Sequence, residues 1–218
     1  MARLILVEDH ALVRAGIRAL LERSQGDHKI VGEAGDGNAA VRLAKEMRPD
    51  VVLLDVTMPE LNGIETARLI SDASPRSRCI MLSMHADPGY VRAAIDAGAF
   101  GYVLKESVFQ ELEAAIRAAV AGEKYFSPKV LAELKNNAWP DAGPASSALE
   151  GLSRRERQIL QLIAEAFSSP EIAKKLQLRV RTVETYRQNM MNKLGLHSVA
   201  ALTAFAIRHG LCGPEGRA

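Results

Sequence analysis

Five short apolar runs, separated by stretches of helical period, occupy the first 120 residues: Leu4 to Val7, Ile30 to Ala34, Val51 to Leu54, Cys79 to Ser83 and Gly101 to Leu104. Strands that alternate with helices predict a parallel sheet covered by helices on both faces. Val51-Val52-Leu53-Leu54 carries no polar residue, as expected of a strand whose two faces both avoid water. Between the runs, apolar residues recur at helical spacing. Val13, Ile17, Leu20 and Leu21 form one face, Val91, Ala94, Ile95 and Gly98 a second, and Val108, Leu112, Ala115, Ile116 and Ala119 a third. The prediction for residues 1–123 is an α/β doubly wound five-stranded parallel sheet.

From Lys124 the pattern loosens. A short helix is predicted from Pro128 to Lys135, and Trp139 to Ser147 then holds two prolines, a glycine and two serines. That composition marks a linker, so residues 124–150 are read as a joint containing a short helix. Residues 151–218 contain no strand-like run. Ser153 with Glu156 makes a capping box, Pro170 suits a first helical turn, Gly195 a helix stop and Ser198 an N-cap. A small all-α domain of four helices follows, over 153–166, 170–176, 180–194 and 198–209.

The net charge of +2 conceals the same division. Residues 1–123 hold 14 Lys+Arg against 18 Asp+Glu, residues 124–150 hold 3 against 3, and residues 151–218 hold 11 against 5. The net charge therefore runs from −4 through 0 to +6. An acidic module is joined to one suited to a polyanion. No run approaches the roughly 18 apolar residues of a membrane span, and Glu8 and Asp9 come too early for a secretory signal. A cytoplasmic protein with no membrane partner is expected. Cys79 and Cys212 lie outside any CxxC or Cys/His cluster, which argues against a disulfide framework or a zinc site.

In a doubly wound sheet, ligands bind beyond the carboxyl ends of the strands. Here those ends carry Glu8 and Asp9, Asp55, Ser83 and Lys105. Three carboxylates on one rim repel one another unless a cation sits among them, and a hard ion such as Mg²⁺ takes oxygen donors of this kind. Lys105 adds a positive charge and Ser83 a hydroxyl donor. Such a set suits phosphoryl transfer, with Asp55 as nucleophile and the cationic groups neutralising the phosphoryl oxygens. The plainer alternative is that acids cap helices, as Asp9 would do before a helix near Ala11.

The motifs Val7-Glu8-Asp9-His10, Leu54-Asp55-Val56-Thr57-Met58-Pro59-Glu60-Leu61-Asn62-Gly63, Leu82-Ser83-Met84-His85 and Gly98-Ala99-Phe100-Gly101-Tyr102-Val103-Leu104-Lys105 resemble the receiver domain of two-component response regulators. The resemblance implies a flavodoxin-like strand order, 2-1-3-4-5, and a phosphoryl group accepted by Asp55 from a sensor histidine kinase. It also implies Mg²⁺ on Asp9, Asp55 and the Thr57 carbonyl, with Glu8 acting through water. Ser83 and Lys105 would bind phosphoryl oxygens, and Tyr102 would be the aromatic that changes rotamer when Ser83 moves. Many receivers have proline after the lysine, where this chain has Glu106. His85 is either an ordinary loop histidine or a residue overhanging the phosphoryl site.

On a helical wheel of about 100° per residue, Val183, Tyr186, Met190 and Leu194 share one face, while Arg181, Thr185, Gln188 and Asn192 form a polar ridge opposite, flanked by Glu184. A helix packed on one side with short polar side chains on the other can enter a DNA major groove. It can equally be the wet face of an ordinary bundle. The segments Leu152 to Leu160, Glu171 to Leu176, Arg181 to Arg187 and Lys193 to Leu196 resemble the LuxR-type helix-turn-helix. Joined to a receiver, they resemble the NarL/FixJ family of response regulators. By that likeness 180–194 is the recognition helix, with Arg181, Thr182, Glu184, Thr185, Gln188, Asn192 and Lys193 at the double-stranded DNA, and Leu202, Phe205 and Ala206 help to dimerise. Arg187 turns toward the bundle, where an ion pair with Glu156 is expected. Ala166 and Pro170 stand where the family commonly has glycine and a polar or basic residue, Tyr186 where it often has histidine and Asn192 where it often has a basic residue.

The reading is a phosphorylation-switched transcription regulator, homodimeric when phosphorylated, whose receiver occludes the recognition helix beforehand. It is not expected to be an enzyme beyond assisting its own phosphoryl transfer. Three rivals stand beside it. An aspartate-nucleophile phosphatase of the haloacid dehalogenase type would need an Asp-x-Asp pattern, and Asp55 is followed by Val56 and Thr57. The others are a receiver-like regulator that works without phosphorylation, and a ligand-sensing LuxR protein.

Overall fold

The computed structural model describes residues 1–24, 26–136, 149, 151–209 and 211. The chain divides into two compact units, Met1–Trp139 and Pro140–Ala218. The predicted linker core from Trp139 to Ser147 and Cys212 lie outside the described residues.

In the first unit, β1 (Ala2–Val7), β2 (His28–Ala34), β3 (Val51–Asp55), β4 (Arg78–Ser83) and β5 (Gly101–Leu104) alternate with α1 (Ala11–Arg23), α2 (Gly37–Met47), α3 (Gly63–Ala73), α4 (Pro88–Asp96) and α5 (Val108–Ala121). A sixth strand, β6 (Tyr125–Phe126), and α6 (Pro128–Asn136) follow. All pairings are parallel, in the order β2-β1-β3-β4-β5-β6. The expected order is present, and the count of five is corrected to six. Two residues give too short a run to show a period, and β6 exists because Tyr125 and Phe126 pair with Gly101 and Tyr102.

Residues two apart in a strand share a face, and the core splits accordingly. Leu4, Leu6, Val51, Leu53, Ile80, Leu82 and Val103 face Ile17 and Leu21 of α1 and the apolar side of α5. Ile5, Val7, Val52, Leu54, Met81 and Tyr102 face α2, α3, α4 and Val130 of α6. Val51 to Leu54 are wholly buried, each contributing about 1.5–3 kcal/mol relative to exposure. All five residues predicted for the α5 face are buried. Val13 is not part of the α1 face, being exposed together with Leu12.

In the second unit, α7 (Arg154–Ala164), α8 (Ser169–Leu176), α9 (Val180–Leu194) and α10 (Val199–Arg208) enclose their own core. The Ser153–Glu156 capping box forms as predicted. A second, unpredicted one joins Ser168 and Glu171, so α8 starts one residue earlier than expected. Ser198 caps α10 through the Ala201 N–H, and Gly195 ends α9 at φ +65. Ala166 also takes a left-handed φ, +64. Its N–H bonds to the Ile163 carbonyl and that of Phe167 to the Leu162 carbonyl. This is a Schellman ending, in which the left-handed position favours glycine. No helix among the described residues is long and apolar enough to cross a membrane.

Candidate functional site

The register of the parallel strands brings the rim residues together. Val7 lies opposite Leu54, Asp55 opposite Leu82, and Ser83 opposite Leu104. The residues at or just after these ends, Glu8, Asp9, Asp55, Ser83 and Lys105, therefore share one edge of the sheet. This edge lies where the connections diverge on either side of β1 and β3, the usual binding crevice of such sheets.

Glu8 is fully buried and Asp55 nearly so. The Lys105 Nζ lies 2.7 Å from Glu8 Oε2 and 2.9 Å from Asp55 Oδ1, bridging the two carboxylates. The Thr57 N–H donates to Asp55 Oδ1 at 3.3 Å, and the His10 N–H to Glu8 Oε1 at 3.2 Å. Burial pushes the Asp55 carboxyl up to about 7, against the opposing pull of Lys105 and with further push from Glu8. Glu8, Asp9, His10 and Asp55 offer ligand atoms that all lie within 4.8 Å of one another. One ammonium among three carboxylates leaves negative charge to be offset, and the oxygen donors suit a hard divalent cation.

Asp9 does not cap α1. The N-cap is His10, which makes no side-chain cap bond, while Asp9 Oδ1 contacts His10 Nδ1 at 2.8 Å and raises the imidazole pKa. His10 was visible beside Asp9, but nothing in its spacing assigned it to the cluster. Arg14 was missed as well. Its guanidinium donates to the Glu8 carbonyl at 2.5 Å and reaches Glu33 at 3.4 Å, which ties the acidic end of β1 to β2.

The backbone after Asp55 folds tightly. Gly63 donates its N–H to the Val56 carbonyl at 2.9 Å, and a Cβ there would lie 2.0 Å from the Asp55 carbonyl oxygen. Only glycine lets α3 start this close to the strand end. Asn62 caps α3 by accepting from the Glu65 N–H at 2.8 Å.

On the other side of the rim, the His85 N–H donates to Ser83 Oγ at 3.0 Å, and the Tyr102 hydroxyl donates to the His85 carbonyl at 2.8 Å. Tyr102 is completely buried, and burial raises its phenol pKa. The backbone of His85 thus links Ser83 to Tyr102, while the ring of His85 stacks on Tyr90 at 6.0 Å.

In α9, Val183 and Met190 are fully buried, with Tyr186 and Leu194 half-buried beside them. Arg181, Glu184, Thr185, Gln188, Asn192 and Lys193 are exposed, and Thr182 is half-buried. The ridge is internally bonded, Thr185 Oγ1 to the Arg181 carbonyl at 2.9 Å and Gln188 Nε2 to Asn192 Oδ1 at 3.2 Å.

One expectation is corrected here. Arg187 does turn inward, but it donates to Ser169 Oγ at 2.7 Å. Glu156 is paired instead with Lys193, at 2.8 Å through the same Oε2 that accepts the Ser153 N–H. The reach of a long side chain is not fixed by the angle of its Cα on a wheel. Leu202 and Ala206 are fully buried in the unit's own core. Phe205 is half-buried, its ring 4.1 Å from that of His209.

Family models match both parts of the chain: "Response regulator receiver domain" over residues 4–117 and "Bacterial regulatory proteins, luxR family" over residues 150–206. The response regulator UvrY of Escherichia coli K12 is 38% identical over 216 residues, covering 99% of this chain and 98% of that protein. A crystal structure of a LuxR-family two-component response regulator from Aurantimonas sp. SI85-9A1 is 40% identical, with a TM-score of 0.60 over 62% of this chain and 96% of that one. The structure of an RcsB–DNA complex is 28% identical, with a TM-score of 0.59 over 95% of this chain and 98% of the other.

Proposed function

The chain belongs to the NarL/FixJ family of response regulators, which join a receiver to a LuxR-type DNA-binding domain, and from that premise we propose that Asp55 is its phosphoacceptor. The observation that carries this reading is Lys105 lying within 2.9 Å of both Asp55 and Glu8 at the carboxyl edge of the sheet. An Asp55 oxygen attacks the phosphorus of a kinase phosphohistidine, the P–N bond breaks, and the imidazole leaves with its electron pair. Lys105 and Ser83 take the phosphoryl oxygens. Asp9, Asp55 and the Thr57 carbonyl would hold Mg²⁺, with Glu8 through water, and the ion would supply charge neutralisation.

Phosphorylation replaces the single negative charge of the Asp55 carboxylate with about −1.5 to −2 on the acyl phosphate. Lys105 then exchanges its Glu8 and Asp55 contacts for phosphoryl oxygens, and Ser83 follows, carrying the His85 backbone and the Tyr102 hydroxyl with it. Residues 1–123 act as receiver, 124–150 as joint and 151–218 as DNA-binding domain. The ridge of α9 reads the major groove of double-stranded DNA through Arg181, Thr182, Glu184, Thr185, Gln188 and Asn192, in a homodimer formed on phosphorylation. In this reading the protein acts on DNA in the cytoplasm. It takes up one phosphoryl group itself and does not turn over small phosphate esters.

Intact-mass measurement with acetyl phosphate and Mg²⁺ tests this. One phosphoryl group is expected on the native chain and none on Asp55→Ala, with tighter and dimeric DNA binding only in the former. Equal phosphorylation of both, or promoter affinity indifferent to Asp55→Ala, overturns the reading. Gln188→Ala is expected to relax preference at one base position, by about 1–3 kcal/mol.

A further inference from the structure

We propose that β6 and the first turn of α6 form a latch on the β5–α5 corner, with Ser127 as the positioning residue that passes the state of the rim to the chain leaving the receiver. Ser127 is almost completely buried. Its N–H donates to the Tyr102 carbonyl at 2.9 Å. Its hydroxyl accepts from the Leu104 N–H at 3.1 Å and donates to Glu111 of α5. A serine before a helix usually turns its hydroxyl to the helix's own free N–H groups, but this one is committed to β5 and α5. Two residues on, Lys129 reaches Glu106 at 2.9 Å. Val130 is wholly buried in the cluster that holds Tyr90, Val91, Ala94 and Tyr102.

The bonds of the latch thus fall on Tyr102, Leu104, Glu106 and Glu111, around Lys105. None of the partners is a rim ligand. Each is carried by backbone or side chains that must shift if Lys105 and Tyr102 move. With its hydroxyl accepting from Leu104 and donating to Glu111, and its N–H held by the Tyr102 carbonyl, buried Ser127 has little slack, so displacing β5 or the start of α5 strains or breaks these bonds. α6 ends at Asn136, ahead in sequence of the DNA-binding unit. The latch rests on the reading of Asp55 as phosphoacceptor.

Amide hydrogen exchange on the full chain, with acetyl phosphate and Mg²⁺ and with intact mass recorded on the same samples, tests the latch. Phosphorylation is expected to change exchange over residues 125–131 by about fivefold or more. In Ser127→Ala and in Glu111→Gln that change is expected to shrink to less than half, while the mass still reports full phosphorylation. A phosphorylated native chain with unchanged exchange over 125–131 overturns the latch alone, and so does a full response in both variants. A native chain that takes no phosphoryl group overturns the latch and the Asp55 reading together. A purely structural role for Ser127 would raise exchange equally with and without the phosphodonor, which would also refute it.

Discussion

Replacing Ala166 by glycine should stabilise the DNA-binding unit. Ala166 holds φ +64 at the end of α7, and the left-handed region costs a residue with a Cβ about 1–2 kcal/mol. Glycine removes that cost but adds about 0.4–1 kcal/mol of unfolded-chain entropy. Ala166 is exposed, so losing its methyl sacrifices little burial. The net gain is about 0.5–1 kcal/mol, or roughly 2–8 °C for a unit of this size. Gly195 supplies the reverse experiment at nearly the same φ, +65, with nothing within 4 Å of where a Cβ would stand. Gly195→Ala should cost about 1 kcal/mol for conformational reasons alone. The assay is urea unfolding of the full chain, followed at backbone amides of residues 154–208. A neutral or destabilising Ala166→Gly beside a costly Gly195→Ala would refute the argument, because both changes turn on one backbone penalty.

Gly63→Ala should cost more than about 2 kcal/mol, because its Cβ meets backbone at 2.0 Å. It should also weaken Mg²⁺ binding measured by calorimetry, and a fully stable variant with native affinity would contradict the close approach. In chelated, metal-free protein the folded-state pKa of Asp55 lies at about 7, above its ordinary 3.8. The destabilisation is therefore absent below pH about 4, grows as pH rises toward 7 and is constant beyond. Asp55→Asn should accordingly be the more stable protein at pH 8 and gain little at pH 4, in urea titrations, and saturating Mg²⁺ should narrow the gap. Lys193→Ala strips Glu156 of its ammonium and should destabilise the unit by about 1–2 kcal/mol while leaving the salt slope of DNA binding unchanged. A slope lowered by about 1 would instead put Lys193 on a phosphate.

Much of the site was legible because a parallel sheet delivers its strand ends to one edge. Glu8, Asp9, Asp55, Ser83 and Lys105 could be grouped by counting strands, before any distance was known. Positions that depend on a tertiary partner were not legible. Tyr125–Phe126 is too short to show alternation, and only its pairing with β5 makes it a strand. The wheel oriented Val183 and Met190 inward but could not tell that Lys193, rather than Arg187, reaches Glu156. The Ser168–Glu171 box carried the same spacing as Ser153–Glu156 and could have been found by it.

The contact between Lys105 and Glu8 joins residues 97 apart, and this fixes an order of events as the chain leaves the ribosome. The strands that present Glu8, Asp9 and Asp55 emerge first, and β1 pairs with β3 across the intervening α1, β2 and α2. The ammonium that bridges two of their carboxylates follows only after two further strands have been made. The chain therefore carries these acids before Lys105 exists to balance them, and until then their charge falls to the ions of the surrounding medium.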